Sequence, residues 1–119
     1  MIEPKPKILL WPKARTDVID IRGYIAQDNP EAAEAFHAAF ENTCATLLDL
    51  PEIGSVRNFG DPELKGLRMF RVSKFEKYLI FYRNTEEGVG VVRVLHSARD
   101  IPTLFGEVET KSGGEQKAA

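Results

Sequence analysis

Asp28, Asn29 and Pro30 interrupt a long helical pattern, and that interruption constrains the first half of the fold. Before it, Ala14, Val18, Ile21 and Ile25 recur at helical spacing and form one apolar stripe. The helix that carries them starts at Trp11-Pro12, because proline suits a first helical position, and ends near Gln27. After the break, Phe36, Phe40, Thr43, Leu47 and Leu50 form a second stripe, which Pro51 stops. Asn29 can cap this second helix, Pro30 suits its first position, and Glu31 and Glu34 meet the positive end of its dipole. So short a joint makes the helices an antiparallel pair. Cys44 lies at the edge of the second stripe and reads as a small buried hydrophobe. His37 reads as an exposed helix residue.

Both stripes need a surface to bury against, and the remaining segments read as strands. "KILLW" is a short strand ahead of the helices. After a loop from Pro51 to Gly66, strands are expected at Leu67–Lys74, Tyr78–Arg83 and Val89–His96. Glu76 is expected in a tight turn, and Gly88 can supply a positive φ in the "NTEEG" hairpin loop. The order β-α-α-β-β-β predicts an α+β fold, a helical hairpin packed on a small, mostly antiparallel sheet. A chain of 119 residues fits one such domain. Residues 1–7 are expected to form a flexible arm, 8–105 the folded domain, and 106–119 a polar, disordered tail.

Strand side chains alternate faces. The alternation predicts Phe70, Val72, Val92 and Val94 under the helices. It places Leu67, Met69, Val91 and Leu95, with Arg71 and Arg93, on the opposite face. Apolar residues mixed with arginine are the composition of a protein-binding surface, so this face is the candidate docking site, the alternative being that the N-terminal arm or the tail covers it. Trp11 is either core edge or partner anchor.

The charges are divided. Lys13–Leu50 has a net charge of −4 and Lys65–Arg99 a net charge of +5, whereas the whole chain has only −2. Such asymmetry suggests either an acidic partner for the basic half or attraction between the two halves. The small negative total argues against general nucleic-acid binding. No apolar run reaches the ~20 residues of a membrane span, and "MIEPKPK" lacks a signal-peptide apolar region. The expected location is cytoplasmic. A lone cysteine excludes an internal disulfide and a cysteine zinc site. There is no nucleotide-binding glycine loop and no metal-ligand spacing, so no cofactor is expected.

"ARTDVIDIRGYIAQDNPEAAEAF", "LKGLRMFRV", "YLIFYR" and "VVRVLHSARDIP" together resemble the ParE branch of the RelE/ParE toxin superfamily over about Ile8 to Phe105. The resemblance implies a toxin of a type II toxin–antitoxin system, of the kind associated with plasmid stabilisation and growth arrest. It implies a cognate antitoxin as partner and DNA gyrase as target. RelE-like relatives instead cut messenger RNA on the ribosome, which is the alternative reading.

Ribonuclease chemistry needs a base, an acid and cations for the phosphate. Lys65, Arg68, Arg71, Lys74, Arg93 and Arg99 supply cations, but arginine stays protonated and is a poor base. His96 is the one acid/base candidate nearby, and its plainer reading is a polar residue at a strand end. Where RelE-like nucleases carry a tyrosine, the matching place here holds Phe105. Arg99 and Asp100 read as a local ion pair ahead of Pro102, with Arg99 also a candidate target contact. Tyr78 and Tyr82 read as sheet packing. No confident catalytic residue emerges, and the balance favours a binding toxin. Its antitoxin is expected to lay an acidic or amphipathic segment against Arg71 and Arg93.

Overall fold

The computed structural model describes residues 5–60 and 62–109. Strand β1 (Lys7–Leu10) leads into helices α1 (Pro12–Asp28) and α2 (Pro30–Asp49). Strands β2 (Ser55–Val56), β3 (Arg68–Val72), β4 (Phe75–Thr85) and β5 (Gly88–His96) follow, and helix α3 (Ile101–Glu109) ends the described chain. The sheet order is β1-β5-β4-β3-β2, with β1 parallel to β5 and every other pair antiparallel. This is the expected α+β arrangement, with β2 and α3 added to it. The expected arm reaches the first residue of β1, Lys7, and residues 1–4 lie outside the described residues. Helix α3 carries the chain past Phe105, so residues 106–109 are helical where a disordered tail was expected. Residues 110–119 lie outside the described residues.

The helix break forms for the expected reason. Proline excludes the α region from the residue before it, and Asn29 is extended, with φ −154° and ψ 94°. Its side chain accepts a hydrogen bond from the Ala32 N–H at 3.0 Å. The helical hairpin covers one sheet face, and Phe36, Phe40, Leu47, Val72, Ile80, Tyr82, Val91 and Val94 share that core with Ala14 and Val18. Leu50 departs from its stripe and is 55% exposed. It is the C-cap of α2, with non-helical φ and ψ, so helical spacing no longer aims it inward. Cys44 is buried, and desolvation, with a smaller contribution from Glu41, pushes its thiol pKa up to about 12.

Two strand assignments are corrected. Val91 belongs to the helix-side core and Val92 to the opposite one, the reverse of strict alternation. The cause is a register shift: Phe81 pairs with Arg93 while Tyr82 pairs with Val91, leaving Val92 as an extra residue on β5. A bulge of this kind breaks the period of two. Likewise, the β3–β4 turn falls at Ser73-Lys74, not Glu76, because Val72 pairs directly with Phe75. Lys74 takes the left-handed backbone there, with φ 70°. Gly88, with φ 143°, behaves as expected, and it has a second role. It pairs with Lys7, and a Cβ on it would fall on the Lys7 backbone, so only glycine lets β1 dock there.

Gly23 has no such reason. It sits exposed within α1, and an added Cβ would meet nothing within 4 Å. Glycine in a helix interior costs about 1 kcal/mol relative to alanine. Gly23→Ala is therefore expected to stabilise the fold by up to about 1 kcal/mol, read as a higher urea midpoint. A lower midpoint would show that this helix face is not open.

Candidate interaction site

The face expected to be open is covered. Leu67 and Leu95 are fully buried and Met69 is half-buried, in a second core with Leu64, Leu79, Phe81, Val92, Ile101 and Phe105. The lid is α3 together with the loop that carries Phe59. Phe105 stacks on Phe59 with centroids 4.6 Å apart and meets Phe81 edge-on at 5.1 Å. This sheet is thus buried on both faces, which accounts for the apolar residues on its outer face.

Arg93 is also removed from the expected surface. Its Nε and Nη2 donate to the two oxygens of Asp17 on α1, at 2.8 and 2.9 Å. Asp17 Oδ2 also accepts the Val94 N–H at 2.9 Å. Strand β1 pairs with β5 only as far as Val91, and this carboxylate supplies the acceptor that β1 does not extend to provide. The guanidinium thus fastens α1 to the sheet.

Arg68 serves the chain as well. Its Nη1 donates to the carbonyls of Glu52 (3.1 Å) and Gly54 (2.7 Å). Tyr82, buried in the helix-side core, works from below. Its hydroxyl donates to the Pro51 carbonyl and accepts the Gly54 N–H, both at 2.9 Å. Burial raises the Tyr82 pKa, opposed by the Gly54 N–H and the Arg68 charge. Together these two side chains pin the segment between α2 and β2.

Arg71 remains exposed on β3, with Nη1 on the Glu76 carbonyl at 2.9 Å. It borders a groove of about 620 Å³ whose other walls include Asn42 and Thr46 of α2, Ile53, Ser55, Met69 and Phe70. Of the expected contact residues, the structure brings Arg71 and Met69 to this groove and takes Leu67, Leu95 and Arg93 away from the surface.

His96 ends β5 with its ring edge-on to Tyr78, centroids 5.0 Å apart. Its Nδ1 accepts the Ala98 N–H at 2.9 Å, so a neutral ring carries its proton on Nε2. Burial raises the Tyr78 pKa, and neighbouring Tyr24 adds to the rise. Arg99 is exposed, and among the described residues it forms no ion pair with Asp100. Asp100 instead caps α3, accepting the Thr103 hydroxyl at 2.7 Å while its carbonyl accepts the Leu104 N–H. Trp11 is 38% exposed at the start of α1, with its indole over Gly90; a Cβ there would lie 3.0 Å from Nε1. Among the described residues, no group of three or more His, Cys, Asp or Glu could hold a metal ion. No described helix is long and apolar enough to cross a membrane.

Residues 8–101 match the sequence profile of the ParE toxin of type II toxin–antitoxin systems. The chain belongs to the ParE toxin family. The fold agrees: a chain of the chromosomal ParDE toxin–antitoxin system from P. aeruginosa superposes with a TM-score of 0.60. That similarity spans 77% of this chain and 96% of the other, at 17% identity. No individually curated protein matches in sequence.

Within this ParE family chain, two structural residues escaped the sequence reading. Asp17 carries no local signal of its role, since no spacing links it to a residue 76 positions later. Tyr82 was read as packing, which is correct for its ring, but its hydroxyl also holds Pro51 and Gly54. Partners so distant in sequence leave no local signal.

Proposed function

We propose that this ParE family toxin acts by binding DNA gyrase without catalysing a reaction, and that a cognate antitoxin neutralises it in the cytoplasm. The observation that carries the non-catalytic reading is the hydrogen bond between the Ala98 N–H and His96 Nδ1. It occupies the lone pair that a general base would use and leaves the neutral ring as a donor. Phe105 supports the same reading. It is 2% exposed between Phe59 and Phe81, so its position belongs to the core and presents no group to a substrate. The cations that could hold a phosphate are also committed in part, with Arg68 on two carbonyls and Arg93 on Asp17.

A supercoiling assay with purified gyrase tests this. Inhibition is expected to rise with toxin and to be relieved by the product of the neighbouring reading frame. Full supercoiling at large toxin excess would refute gyrase as the target. The ribonuclease alternative makes the opposite forecast. It requires transcript cleavage in arrested cells, lost in His96→Ala or Arg99→Ala; transcripts are instead expected to stay intact.

A further inference from the structure

The positive charge of Lys65–Arg99 that folding leaves unengaged collects at one end of the sheet. Arg68 and Arg93 are engaged inside the chain, and Arg83 donates to the Lys65 carbonyl. Lys74, Lys77 and Arg99 are exposed, and among the described residues none of them forms an ion pair. Lys74 lies in the β3–β4 turn, and Lys77 follows it on β4. The Lys77 carbonyl accepts the Ser97 N–H at 2.6 Å, which brings the turn that carries Arg99 alongside. Two acids of the neighbouring helix α2 are directed elsewhere, Glu34 to Arg22 and Glu41 to His37.

Two hollows meet at Lys74 and Phe75. One, of about 270 Å³, is lined by Ala35, Ala38 and Ala39 of α2 on the side facing Phe75. The other, of about 570 Å³, is lined by Phe75, Tyr78, Lys74, Lys77 and Glu76, the one acid on either lining. The rings are held in place from behind. Phe36 meets Phe75 edge-on at 5.5 Å and Tyr78 at 5.2 Å, and His96 backs Tyr78 at 5.0 Å. Fixed aromatic rings beside cations, next to a hollow that takes a side chain, are what a protein partner uses for anchoring.

The backbone of Lys74 supplies an independent sign. Val72 pairs with Phe75, so Ser73 and Lys74 make the turn, and Lys74 takes φ 70°. Turn chemistry gives that position to glycine or asparagine. Glycine there would relieve the backbone, and no hydrogen bond or ion pair of the Lys74 side chain within the described residues favours lysine instead. A strained residue that its own fold does not require points to a function outside it.

We propose that this end of the sheet is the surface that engages gyrase. An acidic segment of the target seats one apolar side chain in the alanine-lined hollow and sets its carboxylates against Lys74 and Lys77, with Arg99 widening the positive field. This inference rests on the reading that the chain binds gyrase. The cations alone would also suit a phosphate backbone. The alanine-lined hollow favours a polypeptide, because it takes an apolar side chain.

The test uses the full chain, purified gyrase and the product of the neighbouring reading frame. Lys74→Glu with Lys77→Glu is expected to raise the toxin needed for half-inhibition of supercoiling by about tenfold or more, on the scale of electrostatic steering. Inhibition by the wild-type chain should weaken as salt rises, and that of the double variant should respond less. Ala38→Trp, which fills the hollow from an exposed position on α2, is expected to weaken inhibition without changing charge. Lys74→Gly is expected to raise the urea midpoint while it weakens inhibition, which separates recognition from folding. All four variants should still bind the antitoxin. Wild-type inhibition by the double variant would overturn this surface and leave the gyrase reading standing. Loss of the antitoxin complex with inhibition intact would give the surface to the antitoxin and overturn the proposal as well. So would binding of a fluorescent single-stranded oligonucleotide by the toxin alone, abolished in the double variant, which would give the surface to nucleic acid. Full supercoiling at large excess of the wild-type chain would overturn both readings.

Discussion

Phe105→Ala is expected to undock α3 from the sheet. Removing a buried phenylalanine side chain costs about 3–5 kcal/mol when nothing refills the space. Phe105 is 2% exposed, and its ring packs against both Phe59 and Phe81, which also meet each other at 6.3 Å, so its removal opens a gap in a cluster of three rings. Among the described side chains, the remaining anchors of α3 are Ile101 and the half-buried Leu104. A helix of nine residues is marginal alone. The loss is therefore expected to be local: α3 amides exchange quickly while those of α2 and β4 stay protected. Leu67, Leu79, Phe81 and Leu95 would then become solvent-exposed, so the variant should also self-associate in sedimentation experiments. Unchanged exchange in α3 would mean that the helix is held by something other than this aromatic stack. The consequence for function is direct, because this lid is what denies the outer sheet face to a partner.

Asp17→Ala is expected to destabilise the whole domain by about 3 kcal/mol. The pair it breaks is not a surface ion pair worth a fraction of that: the Arg93 and Asp17 side chains are only 15% and 12% exposed. The substitution leaves a guanidinium largely out of water and removes the acceptor of the Val94 N–H as well. The urea midpoint should fall with little change in slope. Replacing both partners, as Asp17→Leu with Arg93→Leu, is expected to recover a large part of the loss, since the uncompensated charge disappears. A double-mutant cycle measures this. Near-additive losses would show that solvent screens the pair. The same cycle separates structure from recognition, because Arg93→Glu should weaken the fold before it weakens any complex.

The helical hairpin was legible because everything that makes it is local. Asn29, Pro30 and the three-or-four spacing of Phe36, Phe40 and Leu47 act within a few turns of one another. The strands were legible in number and approximate place, though β2 was missed: two exposed residues, Ser55 and Val56, carry no alternation to detect. The face of β3 was read correctly, with Phe70 and Val72 toward the helices, because the register shift between Arg71 and Val72 places its extra residues on β4 and leaves the alternation of β3 intact. The face of β5 failed at Val91 and Val92, where one inserted residue inverts every assignment upstream of it. Four valines in Val89–Val94 fit either phase, so the run itself held no information about the bulge.

The candidate site divides along the same line. Residue types alone identified Arg71, Met69, Leu67, Leu95, Arg93, Arg99, Trp11 and His96 as the residues to examine, and the family followed from motifs in order along the chain. What each residue does was decided by neighbours that the chain brings from afar. Arg93 meets Asp17, Arg68 meets the carbonyls of Glu52 and Gly54, and Leu67 and Leu95 lie beneath Phe105. Sequence by itself determined the helical hairpin, the order of the six main elements and the family, because propensity, capping and periodicity are short-range. Only the tertiary structure decided which cations are engaged within the chain and which apolar face is covered. Those depend on which distant groups satisfy a charge, a ring or a backbone N–H, and folding alone brings such groups together.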